Sequence, residues 1–372
     1  MDTQDKLKLL ADASRFDLAC ACATTKNEHR QRTKEGLWLY PVALPNGGSS
    51  IILKTLLSNL CTNDCGYCPY RKNQDTPRTT LAPEELSKLF INYVQARKVF
   101  GLFLSSGVIN TPDYTMERMS AVAEILRKKH NYRGYLHLKI IPGASEAAIE
   151  KVVSLANTVS LNVEVPKALN FQELSHTKNF EKDIVKPLKF IAKLTGPDTQ
   201  YAKVKKTTQF IVGAANEKDS DIIKATWKLY KNLNLNRVYF SAYQKGLGDP
   251  QLPGETTSTS PHSLLTREHR LYQTDFLIRK YHWSLSDFSF NTTGNLSLVL
   301  DPKQQWAEQH PEFFPIKLSS ANYYTLLRVP GIGPITAKKI IQQRQQGNII
   351  KFTDLGLGEK QTLKVAKYTV IR

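Results

Sequence analysis

The stretch Ser50-Ile-Ile-Leu-Lys-Thr-Leu-Leu-Ser58 is a nearly continuous apolar run that predicts a buried β-strand. It is the first of six such runs between about residues 50 and 245, and helical patterns lie between them. Apolar strands that alternate with helices are typical of a parallel sheet covered by helices. Six units fall short of a closed eight-stranded barrel, so we predict an α/β fold with an open, partial (β/α)6 barrel. Its site should lie at the carboxyl ends of the strands.

The remaining elements follow from the same alternation of short apolar runs and longer amphipathic ones. The other predicted strands are residues 100–105, 135–141, 159–165, 208–213 and 237–242. The predicted helices are residues 83–97, 114–129, 145–156, 220–233 and 266–281, with one more within 182–193.

Four segments are predicted along the chain. Residues 1–48 form an N-terminal extension that packs on the core, and residues 49–246 form the partial barrel. Residues 247–318 form a linker and a helical extension, because residues 246–263 are rich in Gly, Pro, Ser and Thr. Residues 319–372 form a small basic helical domain.

A cysteine triad follows the first strand, in Cys61-Thr-Asn-Asp-Cys65-Gly-Tyr-Cys68. Thiolates are the natural ligands of iron–sulfur clusters, and three cysteines leave one iron of a [4Fe–4S] cubane open. S-adenosylmethionine (SAM) can chelate that iron through its amino and carboxylate groups. An electron from the cluster then cleaves the sulfonium and gives a 5′-deoxyadenosyl radical. The alternative is a zinc site with a histidine or a distant cysteine as fourth ligand, although no second C-x2-C pair is present.

The C-x3-C-x2-C spacing, with the aromatic Tyr67 before the third cysteine, resembles the radical SAM superfamily. Asn162 and Glu164 alternate with apolar residues and so point to one face of the fourth strand. The resemblance implies that SAM contacts polar groups at successive strand ends. These candidate residues are Tyr67, Ser105, Ser106, Gly107, Lys139, Asn162, Glu164, Gln209 and Gly213. For each polar strand residue, a structural hydrogen bond inside the barrel is the alternative.

The segment from Leu326 to Ile340 (LLRVPGIGPITAKKI) resembles a helix-hairpin-helix. Two glycines, Gly331 and Gly333, permit a tight turn, and the free N–H groups at the start of the next helix can bind a phosphate. Residues 317–372 contain ten lysine and arginine residues but only two acidic ones. The predicted DNA-binding residues are Gly331, Gly333, Lys338, Lys339 and Arg344. The alternative is a structural or protein-binding hairpin.

The overall charge agrees with a polyanionic partner. The 372 residues carry a net charge of +18, which favours nucleic acid over a membrane surface. A basic enzyme with a solvated lysine surface is the alternative. Because the N-terminus has no apolar core typical of a signal peptide and no long apolar stretch follows, we expect a cytoplasmic protein without a membrane span.

With both motifs present, most of the chain resembles a bacterial radical SAM family assigned to DNA modification or repair. The likeness includes residues 6–20, 76–86, 101–116, 239–243, 267–273 and 301–315. It implies double-stranded DNA as partner, a uracil-DNA-glycosylase-like protein partner, and an electron donor such as flavodoxin or ferredoxin. It also places Cys20 near the site, where its thiol would act as a hydrogen-atom donor or contact the substrate; a small buried hydrophobic side chain is the alternative.

The expected function is therefore a radical SAM enzyme that modifies or repairs DNA. Two alternatives stay open: radical modification of RNA such as transfer RNA, and an iron–sulfur protein that binds DNA without turnover.

Overall fold

The computed structural model describes residues 1–14, 31–32, 38–43, 48–347 and 352–371. Contacts between residues divide the chain into two compact units. The first unit is Met1–Glu217 with Lys224–His269, and the second is Lys218–Ile223 with Arg270–Arg372. The predicted division into four segments stays a prediction.

The first unit is built on an eight-stranded sheet whose strands are ordered as they occur in the chain. The strands are β1 (Gln31–Arg32), β2 (Trp38–Ala43), β3 (Ser49–Leu56), β4 (Gly101–Ser105), β5 (Tyr135–Lys139), β6 (Thr158–Ser160), β7 (Lys205–Val212) and β8 (Arg237–Ala242). From β3 to β8 every neighbouring pair is parallel, whereas β1 and β2 extend the β3 edge in antiparallel pairing. The predicted partial (β/α)6 barrel is confirmed, and the antiparallel extension is an addition to it.

Helices lie between the parallel strands, and others precede and follow the sheet. In chain order they are α1 (Thr3–Ala13), α2 (Pro83–Gln95), α3 (Pro112–Glu124), α4 (Glu146–Leu155), α5 (Ala168–Leu174), α6 (Lys186–Leu194), α7 (Asp219–Leu233), α8 (Pro253–Thr256) and α9 (Pro261–Tyr281). Several begin where the sequence signals it: Thr111 and Ser145 cap α3 and α4 through their side-chain oxygens, and Pro83 opens α2. Single π-helical segments extend α3 and precede α6.

The core of this unit is the sheet itself. Strand β4 is buried along its whole length, as expected for a parallel strand covered on both faces. Phe210 on β7 stacks on Phe240 on β8 with ring centroids 5.9 Å apart, and both side chains are almost fully buried. This apolar interior fixes the strand register and hence the position of every polar group at the strand ends.

The fourth parallel strand is shorter than predicted. Strand β6 ends at Ser160, and the chain touches β7 again only at an isolated bridge between Glu164 and Phe210. Glu164 has a φ of +63°, a left-handed conformation that a continuous strand cannot accommodate. The predicted strand over 159–165 was therefore too long. Helix α5, which follows this irregular segment, was not predicted.

The second unit contains helices and a small sheet. Besides the end of α9, it contains α10 (Pro302–Gln309), α11 (Tyr323–Arg328), α12 (Pro334–Gln345) and α13 (Glu359–Ala366). Strand β9 (Ile316–Lys317) pairs in parallel with β10 (Thr369–Val370), so the C-terminal strand pairs with the segment between α10 and α11. Across the parts of the chain that the structure describes, no helix has both the length and the apolar character needed to cross a bilayer.

We predict that Phe240→Ala lowers the free energy of unfolding by about 3–5 kcal/mol, because it removes a fully buried ring and leaves a cavity against Phe210. Urea denaturation followed by circular dichroism measures the change. Leu169→Ala is the control, since that side chain is 72% exposed and its loss should cost no more than about 0.5 kcal/mol. Equal effects of the two substitutions would contradict the assigned core.

Candidate active site

The cysteine loop (residues 57–82) joins β3 to α2 and lies at the carboxyl ends of the strands. The side chain of Arg78 makes four hydrogen bonds to the backbone of this loop. Its guanidinium donates to the backbone carbonyls of Asn59 at 2.6 Å, Tyr70 at 2.9 Å, Arg71 at 2.9 Å and Gln74 at 2.8 Å. A loop without regular structure leaves many carbonyls without a ladder partner, and one arginine here satisfies four of them.

The three cysteines of the loop line one cavity. Cys65 is buried and the other two are half-buried. Backbone N–H groups donate to two of the sulfurs, from Val108 to Cys61 at 3.4 Å and from Tyr70 to Cys68 at 3.4 Å. Burial raises the pKa of the Cys65 thiol and raises that of Cys68 to about 12, so both need a bound cation to lose their protons near neutral pH.

The three sulfurs are neighbours but do not form a single-ion site. Among the residues that the structure describes, no three His, Cys, Asp or Glu side chains converge on a position for one metal ion. The thiols nevertheless influence one another electrostatically, since Cys61 and Cys65 both raise the pKa of Cys68 after the larger effect of burial.

The end of β4 continues into Ser105, Ser106 and Gly107, which line the same cavity. Gly107 lies directly against the cysteine loop and donates to the carbonyl of Ser58 at 2.7 Å. A Cβ at this position would lie 2.2 Å from the carbonyl oxygen of Leu60 and 3.2 Å from the Cβ of Cys61. The lack of a side chain at Gly107 is therefore what lets the cysteine loop lie so close to this strand end.

Tyr67 connects the cysteine loop to the fourth strand end. Its hydroxyl donates to the carboxylate of Glu164 at 2.9 Å, and the amide of Asn162 lies 3.4 Å from the other carboxylate oxygen. Burial and the neighbouring Glu164 raise the pKa of Tyr67 well above its usual value, so the phenol stays a donor. Asn162 and Glu164 both line the cavity, although the strand stops before them.

Lys178 also lies in the cavity, and no motif in the sequence singled it out. Burial alone would lower its pKa, but Cys65, Glu164 and Cys61 more than offset that effect and raise it. Lys178 follows α5, the helix that the sequence did not predict, so its place in the fold could not be anticipated.

The segment before Lys178 is fastened to the cysteine loop by Asp64. The carboxylate accepts hydrogen bonds from the hydroxyl of Ser175 at 2.5 Å, the hydroxyl of Thr177 at 2.7 Å, and the amides of His176 and Thr177 at 2.9 and 3.1 Å. Partial burial raises its pKa, but these four donors dominate and bring the pKa down to about 2. Asp64 is therefore an ionised anchor between two segments that line the site.

The other predicted SAM residues divide into two groups. Lys139 and Gln209 line the cavity. Gly213 is not among its lining residues; it has a φ of +87°, and its amide donates to Glu217 at 2.6 Å. A Cβ on Gly213 would lie 2.5 Å from a methyl group of Leu264, so packing explains this glycine. Cys20 lies outside the described residues.

Two helices of the second unit lie where the sequence predicts the hairpin. Helices α11 and α12 are joined by the hairpin turn (residues 329–333), in which Gly331 has a φ of +92° and Gly333 precedes α12. The turn carbonyls are used internally: Lys303 donates to that of Ile332 at 2.5 Å, and Gln361 to that of Gly331 at 2.7 Å.

The start of α12 offers backbone donors. The residue before α12 is Gly333, which has no side chain to cap the helix. Pro334 has no N–H group and that of Ala337 donates to the carbonyl of Gly333 at 2.9 Å, so the backbone donors of this turn are those of Ile335 and Thr336. Lys338 and Lys339 are exposed one turn later, whereas Arg344 is half-buried. The two glycines therefore lie in the turn before α12, and two of the three predicted basic residues, Lys338 and Lys339, are exposed on α12 itself.

An aromatic cluster packs against the last residue of α11. The guanidinium of Arg328, at the end of α11, lies 4.6 Å from the ring centroids of both Trp283 and Trp306 and is paired with Asp287 at 2.7 Å. Arg328 therefore stabilises the unit from within and is not a free phosphate ligand.

A comparison with protein-family models matches residues 55–226 to the radical SAM superfamily. Residues 55–226 are a radical SAM domain. The matched range begins within β3, ends within α7 and contains all three cysteines of the loop. Enzymes of the superfamily use a [4Fe–4S] cluster and SAM, so these are the cofactors of this domain. No significantly similar sequence was found among curated proteins.

Several solved structures have a similar chain trace. Methylornithine synthase is 17% identical, with a TM-score of 0.45 over 60% of this chain and 62% of that chain. The FeFe-hydrogenase maturase HydG from Carboxydothermus hydrogenoformans is 14% identical, with a TM-score of 0.48 over 85% and 81% of the two chains. The anSMEcpe structure with bound AdoMet is 16% identical, with a TM-score of 0.42 over 61% and 60%. We take no substrate from these similarities.

We predict that Gly107→Ala in the radical SAM domain abolishes cluster assembly while the domain stays folded, because the new methyl group displaces the carbonyl of Leu60 and with it Cys61. The measurement is iron and sulfide content after anaerobic reconstitution, with circular dichroism to check the fold. Gly196→Ala is the matched control, since the nearest atom to its Cβ is 3.4 Å away. Full iron content in Gly107→Ala would show that the close approach is not required.

Proposed function

We propose that this protein is a radical SAM enzyme that modifies or repairs DNA. The observation that carries the proposal is the hairpin of the second unit, in which an uncapped helix start and exposed lysines occur on the same chain as a radical SAM domain. Free backbone N–H groups at a helix start and nearby lysines bind phosphates without reading bases. The target of the radical chemistry would then be chosen in the cavity of the first unit.

The proposed cluster ligands are Cys61, Cys65 and Cys68. Three thiols that line one cavity, two of them accepting backbone N–H bonds, are a donor set that fits an iron–sulfur cluster with one open iron. When bound, the reduced cluster and SAM supply a carbon radical that abstracts a hydrogen atom from an unactivated C–H bond. The protein's part is to hold these groups, exclude water and present the substrate.

The residues proposed to hold SAM are those that the cavity collects around the cysteines. They are Tyr67, Ser105, Ser106, Gly107, Lys139, Asn162, Glu164 and Gln209. The hydrogen bond from Tyr67 orients the Glu164 carboxylate, which leaves its other oxygen facing Asn162 and able to accept from a ribose hydroxyl. Gly213 supports this region through the turn after β7 and is not proposed as a contact. Cys20 stays a predicted hydrogen-atom donor.

The proposed partners follow from the same assignment. A target base inside a duplex has to be flipped out to reach an enclosed site. An electron donor such as flavodoxin or ferredoxin would reduce the cluster, and a uracil-DNA-glycosylase-like protein is proposed as a further partner. The deciding experiment is anaerobic reconstitution followed by an assay of 5′-deoxyadenosine with duplex, single-stranded and damaged DNA, and with transfer RNA. Product formation that depends on RNA alone would replace DNA with RNA as the substrate.

We predict that Cys61→Ala, Cys65→Ala and Cys68→Ala each abolish the cluster, because none of the other described residues offers a thiol to replace the lost ligand. Visible absorption and iron content after reconstitution measure the loss. The assignment is wrong if the triple variant keeps the brown absorption, or if the native protein carries stoichiometric zinc without iron.

We predict that the double variant Lys338→Glu and Lys339→Glu weakens duplex binding to a similar extent for all sequences. Each lost phosphate contact should reduce the slope of log affinity against log salt by about 0.9. Fluorescence anisotropy across a salt series measures both quantities.

The control is the double variant Lys224→Glu and Lys228→Glu, which reverses the charges of two lysines on α7 that are exposed, as Lys338 and Lys339 are. It should alter binding far less. Cluster formation should survive in both variants. If the two double variants weaken binding equally, the hairpin is not the DNA contact, and a protein-docking role for it would be favoured.

A further inference from the structure

Lys178 is a cation that lines the same cavity as the proposed cluster ligands. Its side chain lines the cavity together with those of Cys65, Cys61 and Glu164. Burial lowers the pKa of Lys178, but the charge interaction with Cys65 is the largest of the effects that raise it above its usual value. A positive charge beside a ligand sulfur stabilises the electron that a cluster gains on reduction, because net charge and hydrogen bonds to sulfur set cluster potentials. The mobility of a lysine side chain makes this effect depend on how well its backbone is held.

Asp64 fixes the backbone of the residues just before Lys178 through hydrogen bonds. The anchor segment (residues 175–178) has no helix or strand of its own, and it begins where α5 ends. Four donors from its first three residues converge on one carboxylate, which itself sits in the cysteine loop next to Cys65. A second link, from the amide of Gly66 to the carbonyl of Leu174 at 2.7 Å, joins the same two segments. The loop that carries the cysteines thus also fixes the base of Lys178.

We propose that Asp64 is a positioning residue that holds Lys178 beside Cys65 and thereby raises the reduction potential of the cluster. The inference rests on the proposed cluster ligands and says nothing about the nucleic-acid substrate. No bond is made or broken in this role. Asp64 contributes geometry, and Lys178 contributes the charge that favours the reduced state.

The sign of the effect separates this role from simple electrostatics. A carboxylate near a cluster disfavours the added electron, so removing its charge without any movement should shift the potential to more positive values. Asp64→Asn keeps the shape but weakens the acceptor, so the anchor segment loosens and Lys178 leaves Cys65. The positioning role therefore predicts a shift to more negative potential, opposite to the direct effect of the charge.

The test is a redox titration of the reconstituted protein without SAM, followed by electron paramagnetic resonance. Asp64→Asn and Lys178→Met should each shift the midpoint to more negative potential, and Lys178→Arg, which keeps the charge, should stay near the wild-type value. In the Lys178→Met background, Asp64→Asn should no longer shift the potential downward, because the two residues act as one unit.

Glu173→Gln is the matched control. It removes a negative charge one residue before Leu174, where the carboxylate bonds Asn216 and not the anchor segment. Its midpoint should stay unchanged or rise. A midpoint in Asp64→Asn equal to or above that of the wild type would overturn the positioning role, and so would an unchanged midpoint in Lys178→Met.

A second measurement does not need the cluster. Hydrogen exchange of the His176 and Thr177 amides in the cluster-free protein should be faster in Asp64→Asn than in the wild type and unchanged in Glu173→Gln. Unchanged exchange in Asp64→Asn would overturn the anchor even if that variant assembled no cluster. A wild-type protein that takes up no cluster would overturn both this inference and the proposed ligands, whereas wild-type assembly with unshifted variants overturns this inference alone.

Discussion

The parallel pairing of β3 through β8 is the constraint on which the rest of the first unit depends. Because every strand from β3 onward runs in the same direction, all six carboxyl ends meet at one edge of the sheet. The segments that follow the strands therefore line one cavity, although they are separated by up to almost two hundred residues in the chain. The packing of the apolar strands therefore determines where the polar residues of the cavity lie.

What the sheet does not determine is the course of the cysteine loop, which has no regular structure to satisfy its backbone. Two arginine side chains satisfy the backbone carbonyls instead. Arg78 donates to four carbonyls within the loop, and Arg71 donates to the carbonyls of Cys68, Leu247 and Gly248. Bonds from a charged donor to a carbonyl are stronger than neutral ones, so the loop can be rigid without a helix or strand. A rigid loop is what three ligands of one cluster require, since their sulfurs have to be placed before the cluster stabilises them.

The strands and the cysteine triad could be read from the sequence because each is a local pattern. Alternation of apolar runs predicted all six parallel strands, and the spacing of the triad predicted the superfamily that the family model matches. Lys178 and Asp64 could not be found in this way, because the bonds from Asp64 to the anchor segment join residues more than one hundred positions apart and depend on an unpredicted helix. Gly213 was named from its match to a motif, and what the structure adds is its position in a turn that packs closely against Leu264.

The conformation of Glu164 shows how the fold and the chemistry of the site are linked. A left-handed residue costs on the order of 1 kcal/mol or more outside glycine, and such strain persists only where surrounding contacts fix it. Here the fixing contacts are the bridge to Phe210 in the sheet and the hydroxyl of Tyr67 in the cysteine loop. Because the backbone turns at this point, the chain leaves β6 early and continues into α5, which brings the anchor segment back to the cysteine loop. The same turn therefore directs a carboxylate into the cavity and returns Lys178 to the thiols, so the two opposite charges of the site have one structural origin.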